Sequence, residues 1–394
     1  MATQKGVWNI QQVRDKQLQD LWDYDTSAYS LYAWGANDKG QLGLSEALGV
    51  TKDSPVQIPG SWSSMAGTGN GPQNQFGIKT DGTLWAWGKN EHGELGLGNK
   101  TYYSSPVQIP GTTWAYVVSD WNFTAATKTD GTLWAWGKNN YGQLGQNNQT
   151  DYSSPKQIPG TTWGTTADKM STNDYSIRAI KTDGTLWAWG QNTQGELGQN
   201  NRTNYSSPKQ IPGTTWIHLS SSGKTDKYSA AIKTGGYLFT WGDNSKGQLG
   251  HNNRTQRSSP VMVSGQFWNG IGAGKFSMFG TKTDGTLWSW GYGNRGQLGL
   301  NAPNNSQRSS PTQIPGTTWT AGGQSGSYML ATVFSKTDGT LWTVGQGGGY
   351  GLLGAGLGNN AQRSSPVQIP GTDWKSAYGS VSMTYRNGYA LKTQ

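Results

Sequence analysis

The chain of 394 residues contains 59 Gly, 21 Trp and only 13% charged residues, with a formal net charge of +9. So many aromatic residues exclude a disordered chain, and Gly without a three-residue period excludes collagen. The absence of Cys excludes disulfides, thiolate metal sites and Cys nucleophiles, and the three His residues stand in separate parts of the chain.

Residues 1–27 are predicted to form an N-terminal extension containing a short helix. Asn9 and Gln12 have the spacing of a capping box, and apolar residues follow at helical spacing. A helix of about thirteen residues is marginal alone, so this apolar stripe needs a partner surface, either the rest of the chain or a larger assembly. The candidate anchor residues are Trp8, Ile10, Val13, Leu18, Leu21 and Trp22. The segment from Lys5 to Leu18 resembles N-terminal segments of structural proteins of marine bacteriophages, which implies an anchor into a virus particle.

From residue 28 to residue 394, a unit with a period of about fifty residues recurs. Each unit contains a Lys-Thr-Asp-Gly-Thr-Leu-Trp-Ala-Trp-Gly string or a variant of it, then a Gly-rich loop, then a Ser-Pro and Pro-Gly segment, then another Trp. Nearly all Trp residues are explained by these recurring positions. The string ends in a Gly that recurs in every unit. The residue before this Gly marks seven units: Trp34, Trp87, Trp136, Trp189, Trp241, Trp290 and Val344.

Each unit is predicted to be built of β-strands. Asp-Gly between two segments of alternating polarity indicates a hairpin with a type I′ turn, in which both central residues have positive φ. Residues 77–80 and 83–87 should therefore pair as antiparallel strands, with Leu84 and Ala86 on one face and Trp85 and Trp87 on the other.

The first and last units complement each other. The first begins at Ser30 without a Lys-Thr strand before it, and the chain stops at Thr393 after a Lys-Thr strand with nothing following. We expect the C-terminal strand to complete the unit that the N-terminal strand begins, so that no long sheet edge is exposed. The predicted fold over residues 28–394 is an all-β, seven-bladed β-propeller closed by pairing of the N- and C-terminal strands.

The recurring Asp-Gly-Thr-Leu-Trp-Ala-Trp-Gly, Gly-Gln-Leu-Gly and Ser-Ser-Pro segments resemble the repeat of the regulator of chromosome condensation family. The resemblance implies a seven-bladed propeller but no single function, because members include a nucleotide-exchange factor, a plant ultraviolet photoreceptor and a bacterial β-lactamase inhibitor. The family's polar motif before the Leu-Lys-Thr strand is altered here, for example at Asn74–Phe76 and Lys227–Ser229. These departures count against nucleotide exchange and light sensing.

The residues suggest no reaction chemistry. The Asp residues of the Asp-Gly pairs are explained by their turns, the Trp residues before Gly by core packing, and no acid pair, nucleophile set or metal cluster stands out. We therefore predict no catalytic residues, no metal and no cofactor. The recurring Lys residues are spread evenly, so we interpret them as a solvated polar rim rather than a nucleic-acid surface.

The segments between the last Trp of a unit and the next Lys-Thr strand differ most among units. Variable segments on a rigid frame commonly carry binding residues. The predicted recognition residues, which would contact a host-surface glycan or another virion protein, are Trp121, Phe123, Lys224, Lys227, Tyr228 and Lys275.

The leading hypothesis is a non-enzymatic bacteriophage virion protein, for tail or fibre adhesion or for capsid decoration, assembled in the cytoplasm of the bacterial host. Without an apolar run of membrane-spanning length or a signal-peptide core, we expect neither membrane insertion nor secretion through a signal peptide. The alternatives are a free bacterial binding or inhibitor propeller and a guanine-nucleotide exchange factor.

Overall fold

The computed structural model describes most of the repeat region. The described residues are 29–68, 73–120, 122–173, 175–220, 227–302, 306–320, 324–325, 331–346, 353–355, 357, 361–375, 381–383 and 387–393. They form strands, turns and loops, and no helix occurs among them, hence none that could cross a membrane. The predicted N-terminal helix and the anchor residues within 1–27 lie outside these ranges.

Within the described ranges, twenty-eight strands follow one another. The first fourteen are β1 Tyr29–Ala36, β2 Thr51–Met65, β3 Gly67–Thr68, β4 Asn74–Lys79, β5 Leu84–Gly88, β6 Tyr103–Gln108, β7 Trp114–Asp120, β8 Phe123–Lys128, β9 Leu133–Gly137, β10 Tyr152–Ile158, β11 Met170–Asn173, β12 Ser176–Ile180, β13 Leu186–Gly190 and β14 Tyr205–Ile211. The others are β15 Trp216–Leu219, β16 Tyr228–Lys233, β17 Tyr237–Gly242, β18 Arg257–Met262, β19 Trp268–Gly274, β20 Ser277–Lys282, β21 Leu287–Gly293, β22 Ser306–Ile314, β23 Gln324–Ser325, β24 Ala331–Ser335, β25 Leu341–Gln346, β26 Gln362–Ile369, β27 Val381–Met383 and β28 Asn387–Thr393.

Hydrogen bonding divides these strands into six sheets, so the prediction of seven blades is wrong. Four sheets have four sequential strands each: β11 to β14, β15 to β18, β19 to β22 and β23 to β26. A fifth sheet has the order β10-β9-β8-β7-β3, and a sixth has the order β27-β28-β1-β2-β4-β5-β6. The seven-stranded sheet joins strands that the sequence repeats assign to two units, because β2 pairs with both β1 and β4.

A missing residue accounts for the continuous β2. In the first unit a single residue, Ser61, separates Gly60 from Trp62, whereas two residues, Thr112 and Thr113, separate the equivalent Gly and Trp in the next unit. Thr113 has a φ of 66°, a left-handed conformation, and lies in the turn between β6, which ends at Gln108, and β7. Without an equivalent residue the first unit stays extended from Thr51 to Met65. Positive φ recurs at the equivalents of Thr113 in three later units: Phe267, Thr318 and Asp373.

The N- and C-terminal ends of the described chain pair directly, which confirms that part of the sequence prediction. β1 and β28 are antiparallel neighbours, with partners running from Tyr29 opposite Thr393 to Gly35 opposite Asn387. Tyr389 and Leu391 of β28 are fully buried, and the Tyr389 hydroxyl donates to the backbone oxygen of Gln41 at 2.7 Å. The C-terminal strand is thus an integral part of the seven-stranded sheet.

The Asp-Gly hairpins have the predicted strands but a different turn. β4 and β5 are antiparallel, yet only Gly82, with a φ of 76°, has the left-handed conformation, and Asp81 does not. Gly82 N–H donates to Lys79 O at 3.0 Å and Lys79 N–H to Thr83 O at 2.9 Å, which defines a three-residue loop with a bulge at Gly82. Asp81 instead uses its carboxylate, which accepts from the backbone N–H and the hydroxyl of Thr83 at 2.9 and 2.6 Å.

The Trp residues before Gly link neighbouring units in the interior. Trp87, Trp136, Trp189, Trp241 and Trp290 are fully buried, as the packing interpretation predicts. Their indole N–H groups donate to loop carbonyls of the preceding unit: Trp87 to Gln41 at 3.0 Å, Trp136 to Glu94 at 2.8 Å, Trp189 to Gln143 at 3.0 Å, Trp241 to Glu196 at 2.9 Å and Trp290 to Gln248 at 2.9 Å. We call this set the inner indoles. Each inner indole therefore makes a buried hydrogen bond that links two consecutive units.

Candidate binding clefts at the sheet edges

Three consecutive units contain equivalent clefts of similar size, with volumes of about 370, 360 and 330 Å³. The middle cleft is lined by Gly145, Gln146, Asn147, Pro159, Trp163, Lys181, Trp187, Ser207 and Pro208. The other two use the same positions of their own repeats. Because Ser207 and Pro208 belong to β14, the outermost strand of its sheet, we call these the edge clefts. Each one therefore requires residues from two consecutive units.

A lysine lies between two aromatic rings in each edge cleft. In the middle cleft, the Nζ atom of Lys181 is 4.7 Å from the ring centroid of Trp163 and 4.6 Å from that of Trp187. Trp163 bridges to Lys181 across the sheet, and Lys181 directly follows β12, so backbone pairing fixes both side chains. Ammonium groups at this distance are attracted to the negative face of an aromatic ring.

The same arrangement recurs in the neighbouring clefts. Lys128 Nζ is 4.8 Å from the centroid of Trp114 and 4.9 Å from that of Trp134. Lys233 Nζ is 4.4 Å from the centroid of Trp216 and 5.0 Å from that of Phe239. Four further lysines at the same repeat position lie over the corresponding Trp: Lys79 at 5.6 Å from Trp62, Lys282 at 4.9 Å from Trp268, Lys336 at 4.7 Å from Trp319 and Lys392 at 5.8 Å from Trp374. The sequence interpretation of these lysines as a solvated rim missed their aromatic partners.

A hydrogen-bond chain positions Trp187, the more exposed aromatic wall of the middle cleft. Trp187 Nε1 donates to Thr185 Oγ1 at 2.9 Å, and Thr185 Oγ1 donates to Asp183 Oδ1 at 2.6 Å. The hydrogen bonds from Thr185 lower the pKa of Asp183, so the carboxylate stays ionised as an acceptor. Asp183 thus positions the cleft ring Trp187 as well as closing its hairpin, and Asp130 does the same for Trp134 in the neighbouring cleft through Thr132.

The wall formed by Trp163 carries a buried donor without an acceptor among the described residues. Trp163 is 1% exposed, and its Nε1 has no hydrogen-bond partner among the described residues. A Cβ placed on Gly160 would lie 3.2 Å from this Nε1 and 3.8 Å from Lys181 Nζ, so both donors face the same glycine. The equivalent Nε1 atoms without a partner belong to Trp62, Trp114, Trp216, Trp268, Trp319 and Trp374. With Trp163 they form the set that we call the outer indoles.

The clefts are also electropositive. Within the part of the chain that the structure describes, none of the seven recurring lysines forms an ion pair with a carboxylate. Because these ammonium groups face aromatic rings and form no salt bridge, the edge clefts are suited to a ligand that offers oxygen acceptors or negative charge.

Buried charged groups lie in the interior instead. Arg178 is fully buried, and its Nη1 donates to Ser229 Oγ at 2.8 Å and its Nε to Ser171 Oγ at 3.1 Å. Burial raises the pKa of Glu196 to about 7, and the carboxylate accepts from the backbone N–H of Gln194 at 2.7 Å. These groups bind structural partners. No cluster of three or more His, Asp or Glu that could hold a metal occurs in the described ranges.

The family follows from a profile described as the regulator of chromosome condensation (RCC1) repeat. It matches residues 30–67, 81–127, 130–163, 183–225, 235–274 and 284–325, which make up more than half of the chain. The chain belongs to this repeat family. The matched ranges contain the aromatic walls of the three described edge clefts, whereas the cleft lysines Lys128, Lys181 and Lys233 lie between matched ranges.

Curated relatives in this family have varied names. The chain is 26% identical to the human E3 ubiquitin-protein ligase HERC2 over 59% of this chain and 4% of that protein. It is 25% identical to the ultraviolet-B receptor UVR8 of Arabidopsis thaliana over 59% of this chain and 53% of the receptor. The chain therefore spans about half of one relative and a small part of the other, and identity at this level assigns no activity.

Solved structures share the fold. Prp20p of Saccharomyces cerevisiae superposes with a TM-score of 0.78 at 19% identity, covering 93% of this chain and 92% of that one. Human WBSCR16 superposes with a TM-score of 0.76 at 19% identity, covering 93% and 99%. At such identity the likeness concerns the fold alone. The resemblance of residues 5–18 to phage structural proteins is not part of these matches and stays a prediction.

The structure separates the predicted recognition residues of this repeat protein. Phe123 is fully buried at the start of β8, and Tyr228 is 2% exposed at the start of β16, in another sheet. The hydroxyl oxygen of Tyr228 lies 2.6 Å from the backbone oxygen of Gly274 and 2.8 Å from that of Ser277. Both rings are thus buried in the structure, in two different sheets.

The other predicted residues are lysines and one Trp. Lys227 is partly exposed and donates from Nζ to Thr193 Oγ1 at 2.8 Å, while Lys275 Nζ lies 5.8 Å from the ring centroid of Phe276. Trp121 and Lys224 lie outside the described residues. A binding role for this set stays a prediction, and none of its described members, Phe123, Lys227, Tyr228 and Lys275, lines the three edge clefts.

Proposed function

We propose that this chain is a non-enzymatic binding propeller with several equivalent ligand sites, displayed on a bacteriophage particle to which residues 1–27 attach it. The observation that carries the binding role is the recurrence of the edge cleft, with the same lining positions and nearly the same volume, in three consecutive units. Repeated sites on one rigid frame suit a ligand that is itself repetitive, such as a surface glycan.

Multivalency makes such sites effective even when each is weak. Once one site has bound a repeating ligand, the next binding event is intramolecular, and the overall affinity can exceed that of one site by a factor of about 10² to 10⁴. The interior supports this role, since the inner indoles link each unit to the next and so hold the clefts at fixed spacing.

Two further considerations support a binding rather than a catalytic role. Two buried charged groups, Arg178 and Glu196, are engaged by Ser and backbone partners. In addition, the similar yeast propeller Prp20p is described as binding Gsp1p and histones, so this fold is compatible with macromolecular recognition.

The proposal that the chain is part of a bacteriophage particle rests on the N-terminal segment, and co-purification with particles tests it. Phage particles would be purified from an infected host by density gradient and their proteins identified by mass spectrometry, for the full chain and for a variant lacking residues 2–27. We expect the full chain in the particle fraction and the deletion variant, still folded by circular dichroism, outside it. Absence of the full chain from particles would contradict this setting and favour a free binding or inhibitor propeller, whose clefts would be the same.

A further inference from the structure

We propose that the edge clefts recognise the anionic oxygen group of an acidic sugar, a carboxylate or a sulfate ester, with the cleft lysine and the adjacent outer indole as its two donors. The inference rests on the proposed binding role and specifies the class of ligand. It concerns the three described clefts, centred on Lys128, Lys181 and Lys233.

Each edge cleft holds a pair of donors, the lysine ammonium and an indole N–H. A buried indole N–H without an acceptor is unfavourable, and native structures rarely leave one. Here the same atom lacks an acceptor in Trp114, Trp163 and Trp216, which all belong to edge clefts. Because the same N–H lacks an acceptor in each of these units, the property belongs to the repeat. An acceptor oxygen on a bound ligand would complete the hydrogen bond of this N–H.

The two donors converge. Both donors lie close to the glycine of the Pro-Gly pair in each cleft. The distances from a hypothetical Cβ on that glycine to the lysine Nζ and to the indole Nε1 are 3.6 and 3.6 Å at Gly111, 3.8 and 3.2 Å at Gly160, and 3.0 and 3.3 Å at Gly213. A single oxyanion approaching beside this glycine, with a small shift of the lysine, would accept from both groups. Hydrogen bonds with an ionised partner are the strong ones, about twice the strength of neutral bonds.

Charge and shape favour an acidic sugar over other anions. The chain carries a net charge of +9, and the cleft lysines form no salt bridge among the described residues, so an incoming anion breaks none, although Asp130 and Asp183 interact electrostatically with Lys128 and Lys181. The partly exposed rings of Trp134, Trp187 and Phe239 provide the apolar wall that the C–H face of a sugar needs. The cleft volumes, 330 to 370 Å³, lie within the range of small-molecule sites.

The test measures binding of the full chain to three soluble polymers by isothermal titration calorimetry: polygalacturonate, which carries carboxylates, dextran sulfate, which carries sulfate esters, and neutral dextran. We expect at least one acidic polymer to bind about tenfold more tightly than dextran. The acidic polymer that binds identifies the anionic group. Equal binding of dextran, or binding of no polymer, would overturn the inference.

Matched variants separate the clefts from general positive charge. Replacing Lys128, Lys181 and Lys233 by Met should weaken acidic-polymer binding about tenfold, whereas replacing the exposed Lys100, Lys156 and Lys209 by Met removes the same charge and should change it less than threefold. Equal weakening by both triple variants would show non-specific attraction and overturn the inference.

A second variant keeps the test valid if the lysine variant unfolds. Replacing Trp114, Trp163 and Trp216 by Phe retains a ring and removes only the indole donors, and it should weaken acidic-polymer binding severalfold in a protein that still melts cooperatively. Unchanged binding would contradict the role of the indoles. If no acidic polymer binds but the chain still co-purifies with particles, the ligand class is wrong while the particle role stands.

Discussion

Trp163 and Trp189 are neighbours with opposite hydrogen-bonding states. Their ring centroids are 5.8 Å apart, and both side chains are at most 1% exposed. The inner indole Trp189 donates to Gln143 O at 3.0 Å, while the outer indole Trp163 has no acceptor among the described residues. One repeat thus serves two tasks: its inner layer joins consecutive units, and its outer layer keeps donors beside a cleft.

The same contrast recurs in other units. Trp62 and Trp87 have centroids 5.8 Å apart, and Trp268 and Trp290 are 5.7 Å apart. In each pair the inner indole donates to the preceding unit, to Gln41 O or Gln248 O, and the outer one lacks an acceptor in the described chain. Changes to the inner layer should therefore affect stability, and changes to the outer layer should affect binding.

The largest expected effect comes from opening the inner layer at its closure. Deleting residues 389–394 removes most of the pairing of β28 with β1 and exposes the surfaces covered by Tyr389 and Leu391. We expect a loss of about 5 kcal/mol in the free energy of unfolding, measured by urea denaturation. Tyr389→Phe, which keeps the strand and removes only the bond to Gln41, should cost about 1 to 2 kcal/mol. An unchanged unfolding curve for the deletion would contradict the closure.

A buried carboxylate in the inner layer should make stability depend on pH. Burial raises the pKa of Glu196 from 4.5 to about 7, while Arg178 and Lys227 oppose the shift. Because the folded-state pKa is the higher one, this contribution to stability is complete below about pH 4.5 and is lost as the pH rises through about 7. Glu196→Gln should therefore be more stable than the parent at pH 8 by about 3 kcal/mol and equal to it at pH 4.

The equivalent position in a neighbouring unit supplies the control for this pH effect. Gln143 accepts from the backbone N–H of Tyr141 at 2.9 Å, as Glu196 accepts from Gln194. Gln143→Glu should introduce a similar loss of stability above pH 7. Parallel pH profiles for the parent and Glu196→Gln would show that this carboxylate does not titrate as described.

A smaller effect should separate the two kinds of indole. Trp189→Phe and Trp163→Phe remove the same ring volume, but only the first leaves a carbonyl, Gln143 O, without its donor. We expect Trp189→Phe to be less stable than Trp163→Phe by about 1 to 3 kcal/mol in chemical denaturation. An equal or larger cost for Trp163→Phe would mean that the outer indole has a structural acceptor after all.

Local patterns made much of the fold predictable. The strands before and after Asp81-Gly82 and the pairing of the chain's terminal strands follow from alternation and from the repeat itself, and both are present. The predicted turn type is wrong because only Gly82 has a positive φ, while the Asp81 carboxylate accepts a hydrogen bond from Thr83. The fused sheet was not predictable because the first unit lacks one residue beside Ser61. In the longer unit the equivalent residue, Thr113, has a positive φ that the sequence does not reveal.

The clefts were harder to predict than the strands. Lys181, Trp163 and Trp187 recur at fixed offsets in the sequence, and that co-occurrence is the signal that could have identified them. However, Pro159 and Trp163 come from one unit and Lys181, Trp187, Ser207 and Pro208 from the next, so the cleft exists only after two units pack. Variation among loops pointed instead to Phe123 and Tyr228, whose burial depends on packing that the sequence alone does not determine.

The central claim, that outer indoles serve ligands and inner indoles serve the frame, can be observed directly by nuclear magnetic resonance. The indole N–H signals of protein labelled with ¹⁵N at Trp would be assigned with the Trp→Phe variants and followed during titration with galacturonate oligomers and with sulfated dextran oligomers. We predict that at least one titration shifts the signals of Trp114, Trp163 and Trp216, while those of Trp136, Trp189 and Trp241 stay in place. Shifts confined to the inner indoles, or none in either titration, would contradict the account.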